Sequence, residues 1–174
     1  RRYLQDGWEV CSTPPDACPD PTSLEVFAPS WQPARAPSSA AGVLRAAGLW
    51  SLDGPTRRFD SEDWWYRLRH DLDAGISLDG LRLGLDGLAT LCDVWVNGTH
   101  VLHSENMHLA HELESPPFRG GSNEIMLVFR ALDPWLKRRR PRPRWRTPMV
   151  ENQQLRWART SLLGRTPGWS PPAA

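Results

Sequence analysis

From Trp64 onward, apolar and polar positions alternate in short bursts rather than at helical spacing. The segments WWYRLRHDL (64–72), LRLGLDGL (81–88), LCDVWVNGTHVL (91–102), HLAHEL (108–113) and NEIMLVFRAL (123–132) follow one another closely, with turn residues between them. Each reads as a strand or a pair of strands. In the third, Cys92, Val94 and Val96 fall on one face and Leu91, Asp93 and Trp95 on the other, the two-residue period of a strand with one face in a core. Asn97 and Gly98 come next, and both tolerate the positive φ of a two-residue type I′ turn. The chain is therefore expected to reverse there and return along Thr99 to His103. Read as a glycosylation sequon, Asn97-Gly98-Thr99 lacks the leader peptide that such a role requires, so the turn reading is preferred. Five or more short strands joined this way predict an antiparallel β-sandwich.

Ahead of these strands the pattern differs. Trp8, LEVF (24–27) and Trp31 sit between proline-rich joints and read as one or two short strands in an N-terminal loop system, residues 1–36. PSSAAGVLRAAG (37–48) has a serine at the N-cap, good helix formers and a closing glycine, so it predicts a short helix. A single domain over residues 1–174 then divides into a main sandwich at 37–135, a basic proline-rich loop at 136–150 and a C-terminal segment at 151–174. The first half of that last segment can form a short helix, and its second half is Gly/Pro coil around Trp169.

Composition narrows the picture further. The chain has 174 residues, 40% of them hydrophobic, with ten Trp, 17 Pro and 13 Gly, which suits one loop-rich domain with a full core. No stretch nears the roughly 20 apolar residues that span a bilayer. Together with the lack of a visible leader, this places the chain, as an expectation, in solution in a bacterial cytoplasm, or in the periplasm or outside if a leader has been trimmed. Cys11, Cys18 and Cys92 cannot all pair with one another, and free thiols or a Cys11–Cys18 disulfide are both open.

Chemistry-bearing motifs are few. His100, His103, His108 and His111 invite a metal reading, but there is no HExxH, and an HxxH in a strand sends its two rings to opposite faces. Neither metal nor other cofactor is expected. GxSxG, protease cysteine signatures and phosphate-binding glycine loops are missing, and the acidic pairs Glu62-Asp63 and Asp71/Asp73 read as solvated turns rather than as a glycosidase pair. KRRRPRPRWR (137–146) carries seven cations and Trp145, the means to grip a nucleic-acid backbone and stack a base, yet the rest of the chain is net −6 against +1 for the whole. A stiff solvated loop is preferred, with no nucleic-acid partner.

DWWYRLRH (63–70), LRLGLDGLATLCDVWVNGTHVLHSENMH (81–108) and GGSNEIMLVF (120–129), in that order and spacing, resemble the N-terminal sugar-binding domain of glycoside hydrolase family 2, in particular its β-mannosidase branch. The likeness covers most of residues 37–172. It implies an all-β fold, a jelly-roll β-sandwich of the galactose-binding-domain type, with one or two short helices. It also implies further domains in the same chain, among them a barrel that carries both catalytic glutamates of a retaining mechanism. This segment is accordingly expected to be non-catalytic. The family's Gly-Trp-Asp-Trp-Gly-Pro motif, which lines the sugar subsite, corresponds to GWSPPA (168–173), where Ser170 replaces the family's Asp. By resemblance, Trp169 and Ser170 would meet the sugar, with Arg159 as the family's upstream arginine. Trp64, Trp65 and Arg67 would contribute to a ligand rim, while Asn97, Gly98 and Asn106 serve turns. The function implied is support of the barrel and of its sugar pocket, with a mannoside-type carbohydrate as ligand. The alternatives are an autonomous carbohydrate-binding module and nucleic-acid binding through residues 137–146.

Overall fold

A computed structural model describes residues 1–73, 75–141, 144–146, 148 and 152–160. Among them eight strands form two antiparallel sheets. The larger runs in the order β2 (Gln32–Ala34), β1 (Trp8–Thr13), β3 (Asp63–Leu72), β8 (Gly121–Phe129), β5 (Cys92–Val96) and β6 (Thr99–Ser104). The smaller pairs β4 (Arg82–Leu85) with β7 (His111–Glu114). Three short helices accompany them: α1 (Pro21–Phe27), α2 (Ala40–Ala46) and α3 (Leu132–Lys137). Single 3₁₀ turns lie at Phe59–Ser61 and Gln153–Trp157. The architecture is the all-β sandwich expected from the alternation.

Alternation along β3 and β8 sends side chains into two separate cores. Trp64, Tyr66, Leu68, Ile125 and Leu127 join Cys92, Val94 and Val96 under α2 and the β4–β7 pair. On the reverse face, Trp65, Met126 and Val128 pack with Trp95, Cys11, Cys18 and Leu24 of α1. Both faces of β5 are thus buried, where the pattern predicted one. The reason is that residues 14–31 fold back over the reverse face, with Leu24 as the buried residue of α1.

LEVF (24–27), expected as a strand, is helical. Asp20 caps it by accepting from the Ser23 amide while the Ser23 hydroxyl meets the Asp20 amide, and Pro21 supplies a ready-made first-turn φ. The strand expected over 108–113 begins only at His111, because Asn106 turns the chain: its Oδ1 accepts from the His108 amide at 3.0 Å. The strand ending near Leu132 stops at Phe129, and α3 follows across the boundary drawn at residue 135.

Asn97 (φ 51°) and Gly98 (φ 77°) both occupy the left-handed region and join β5 to β6. Asn97 does more than turn. Its side-chain amide donates to the Pro117 carbonyl and to Asn123 Oδ1, each at 2.8 Å, while its oxygen accepts from the Glu124 amide. Buried Asn123 in turn holds the Arg119 amide and the carbonyls of Arg119 and Gly121. A pair of amides therefore ties the hairpin to the start of β8.

All three cysteines are free and buried. Burial pushes the Cys11 thiol up to about 12 and raises Cys18 and Cys92 as well, so these thiols stay protonated and inert.

Candidate functional site

At the end of the sandwich where β3 begins and β8 ends, the C-terminal segment returns to the domain. Leu155 and Ala158 pack on Leu91, Leu132, Trp135 and Leu136, extending a third apolar cluster built around α3. The chain then meets the corner after β6: Asn106 and Arg159 form a parallel bridge, and the Met107 amide donates to the Arg159 carbonyl at 3.0 Å. The Thr160 hydroxyl lies 3.4 Å from the Met107 sulfur. Gly87 permits the close approach on the other side of this corner, since a β-carbon there would lie 2.9 Å from the Met107 carbonyl oxygen. Two of the sequence-selected residues, Asn106 and Arg159, are thus neighbours.

The remaining candidates are dispersed. Trp64 faces the α2 core, its indole N–H donating to the Phe59 carbonyl at 2.6 Å. Trp65 and Arg67 point to the opposite face, as the period of β3 requires. Trp65 is 0% exposed and stacks on Trp95 at 5.7 Å, so it has no surface to offer a ligand. Arg67 is held by Glu9 Oε2 at 3.0 and 2.7 Å and lies 4.0 Å over the Trp31 ring. Trp64 thus lies on the opposite face from Trp65 and Arg67, because adjacent strand positions cannot share a face. Trp169 and Ser170 lie outside the described residues.

Sequence reasoning missed the polar hub of this end, Arg130 with Asp63 and Asp93. Asp63 is 1% exposed and accepts from Arg130 at 3.0 Å and from the Ala131 amide at 2.8 Å. Arg130 also reaches Asp93 and the carbonyls of Cys18 and Pro19, and its guanidinium lies over the Trp65 ring. The only local signal was an acid opening an aromatic strand.

On its outer side Asp93 meets His103 Nδ1 at 2.7 Å and His100 Nε2 at 3.3 Å. Burial by itself would raise the Asp93 carboxyl, but hydrogen bonds from His103, His100 and Arg130 outweigh it and hold the group below the ordinary carboxylate range. The same bond to Asp93 raises His103 above the usual 6.5. A raised folded-state value means that this contribution is full below pH 6.5 and is lost as the pH climbs through the raised value. With the His103 side chain 51% exposed, solvent screens the pair and its worth is at most about 0.5 kcal/mol. Urea unfolding followed from pH 6.5 upward should therefore show a shallow loss of stability in the native chain that His103→Gln removes. An unchanged slope in the variant would place its origin elsewhere.

The basic run is partly spent on internal stacking. Arg140 lies 3.7 Å over Trp135 and donates to its carbonyl, and Arg156 lies 5.4 Å over Trp145, which is itself 67% exposed. Among the described residues, no group of three or more His, Cys, Asp or Glu side chains could hold a metal ion. No helix among them is long and apolar enough to cross a membrane.

Sheet order, sandwich packing and the returning C-terminal segment define a class of domain, the galactose-binding-like sandwich. Residues 16–173 match the family model described as glycosyl hydrolase 2 galactose-binding domain-like, and the chain belongs to that family. Among solved structures, the β-D-mannosidase of Dictyoglomus thermophilum is similar over 97% of this chain and 20% of its own, at a TM-score of 0.73 and 18% identity. A β-glucuronidase of Faecalibacterium prausnitzii matches 73% of this chain and 20% of its own, with TM-score 0.52 and 16% identity. A putative β-galactosidase of Bacteroides fragilis matches 73% and 18%, with TM-score 0.52 and 17% identity. The chain thus spans about a fifth of the length of the solved chains it resembles. Comparison with curated protein sequences gives no match.

Proposed function

We propose that this chain is the non-catalytic sandwich domain of a β-mannosidase-like family 2 glycosidase, bracing the catalytic barrel and sending residues 159–170 to its sugar pocket. The observation that carries this reading is the bridge between Asn106 and Arg159, with the Met107 amide on the Arg159 carbonyl. In this reading the chain leaves for Gly168-Trp169-Ser170 from the corner after β6, just past the apolar cluster that Leu155 and Ala158 join. A loop end anchored in this way can deliver an aromatic ring to a neighbouring domain at low entropic cost. Ser170 is neutral, so it gives sugar hydroxyls a weaker acceptor than a carboxylate would.

The test uses the full enzyme that contains this segment. Trp169→Ala should lower kcat/KM on an aryl β-mannoside about ten-fold or more, as expected when one aromatic ring no longer packs against the sugar in the transition state, with unfolding unchanged. Equal kcat/KM in the variant would remove the pocket-lining role. The isolated chain should hydrolyse no nitrophenyl glycoside.

A further inference from the structure

Gly87 lies between β4 and β5, and Leu88 next to it is buried in the core under α2. Its φ is outside the left-handed region that Gly98 and Gly121 occupy, so no backbone conformation demands a glycine there. What demands it is space. A β-carbon at this position would lie 2.9 Å from the Met107 carbonyl oxygen, whereas a carbon and a carbonyl oxygen in contact ordinarily stay about 3.3–3.6 Å apart. Gly84, within β4, is the contrast, since a β-carbon there would meet nothing within 4 Å.

Met107 carries the other side of this contact to the returning segment. Its amide donates to the Arg159 carbonyl at 3.0 Å, its sulfur receives the Thr160 hydroxyl at 3.4 Å, and Asn106 before it bridges Arg159. The two walls differ in how readily they give. Leu88 ties Gly87 to the core, while residues 108–110, which follow Met107, are exposed and belong to no strand. A side chain at position 87 therefore moves the corner rather than the core, and the Met107 amide moves with it.

We infer that Gly87 is a positioning residue: by lacking a β-carbon it sets where the corner after β6 holds the returning segment at Arg159. Any larger residue pushes the corner away by roughly half an ångström, the difference between 2.9 Å and an ordinary contact. That matches the tolerance of about 0.5 Å within which a binding group must be held. The consequence for catalysis rests on the pocket-lining reading of residues 159–170, and the consequence for the Arg159 bond does not.

Hydrogen exchange of the Met107 amide in this chain tests the contact directly. Gly87→Ala should speed it about ten-fold or more, and Gly84→Ala should leave it unchanged. Neither variant should lower the unfolding midpoint by more than about 5 °C. In the full enzyme that contains this segment, Gly87→Ala should lower kcat/KM on an aryl β-mannoside about five- to ten-fold, through kcat rather than KM, as a misplaced group does. Added to Trp169→Ala it should cost nothing more, because both act through the same ring. Unchanged Met107 exchange in Gly87→Ala overturns the inference. So does a variant that no longer folds, since Gly87 would then serve the scaffold alone. Losses that add in the double variant overturn it too, as does full activity of Gly87→Ala where Trp169→Ala is impaired. If Trp169→Ala itself is silent, the pocket-lining reading falls, and Met107 exchange alone decides for or against Gly87.

Discussion

Asp63→Ala should lower the unfolding free energy by about 3–5 kcal/mol, the range seen when one partner of a buried ion pair is removed. Three groups lose their acceptor at once: the Arg130 guanidinium and the amides of Asp16 and Ala131. Arg130, only 17% exposed, cannot turn to water without giving up Asp93 and the two carbonyls it also holds. Urea denaturation followed by tryptophan fluorescence gives the number. Arg130→Met should cost at least as much as Asp63→Ala, because it leaves the Asp63 carboxylate, 1% exposed, without its cation. A loss for Asp63→Ala below about 1 kcal/mol, the size of a surface pair, would show that the hub is wet and weak.

Trp65→Ala should be comparably severe, at about 3–5 kcal/mol, since it opens a cavity in the middle of the second core. The ring is fully buried, stacks on Trp95, and donates through Nε1 to Thr13 Oγ1 at 3.3 Å. Trp65→Phe should recover much of the loss by refilling most of the space. The same pair of variants separates scaffold from site. If Trp65 were a sugar contact, Trp65→Phe would alter ligand affinity at constant stability, whereas a core residue should move stability and leave affinity alone.

How far the sequence carries can be read from particular residues. The β5–β6 hairpin was legible because Asn97 and Gly98 state their backbone requirement locally, and a two-residue period extends on either side. Helix α2 was legible because Ser39 caps it. Helix α1 was not, although its Asp20-Pro21-Thr22-Ser23 start is a capping sequence. The apolar LEVF run suited a strand equally well, and only the uncovered reverse face of the sheet decides between the two. Asp63 and Arg130 are 67 positions apart, so nothing local announces the pair. For the site, the sequence singled out Asn106 and Arg159 separately, by resemblance, and their pairing is a tertiary fact. The period of their own strand sets Trp64 on the opposite face from Trp65 and Arg67.

Arg130 reaches back 112 positions to the Cys18 carbonyl and 111 to that of Pro19. On the ribosome, then, the cover of the second core can be held at Asp16 by Asp63 but gains its Arg130 clasp only when nearly all of the sandwich has been made. Residues 14–31 emerge early and must wait, with Leu24 and Trp31 bare, while β3, β5 and β8 are assembled. Closure of the domain belongs to the end of β8, the last strand among the described residues, which also leads into α3 and the returning segment. The nascent chain would thus seal its N-terminal flap and set the departure point of its C-terminal segment in a single late event.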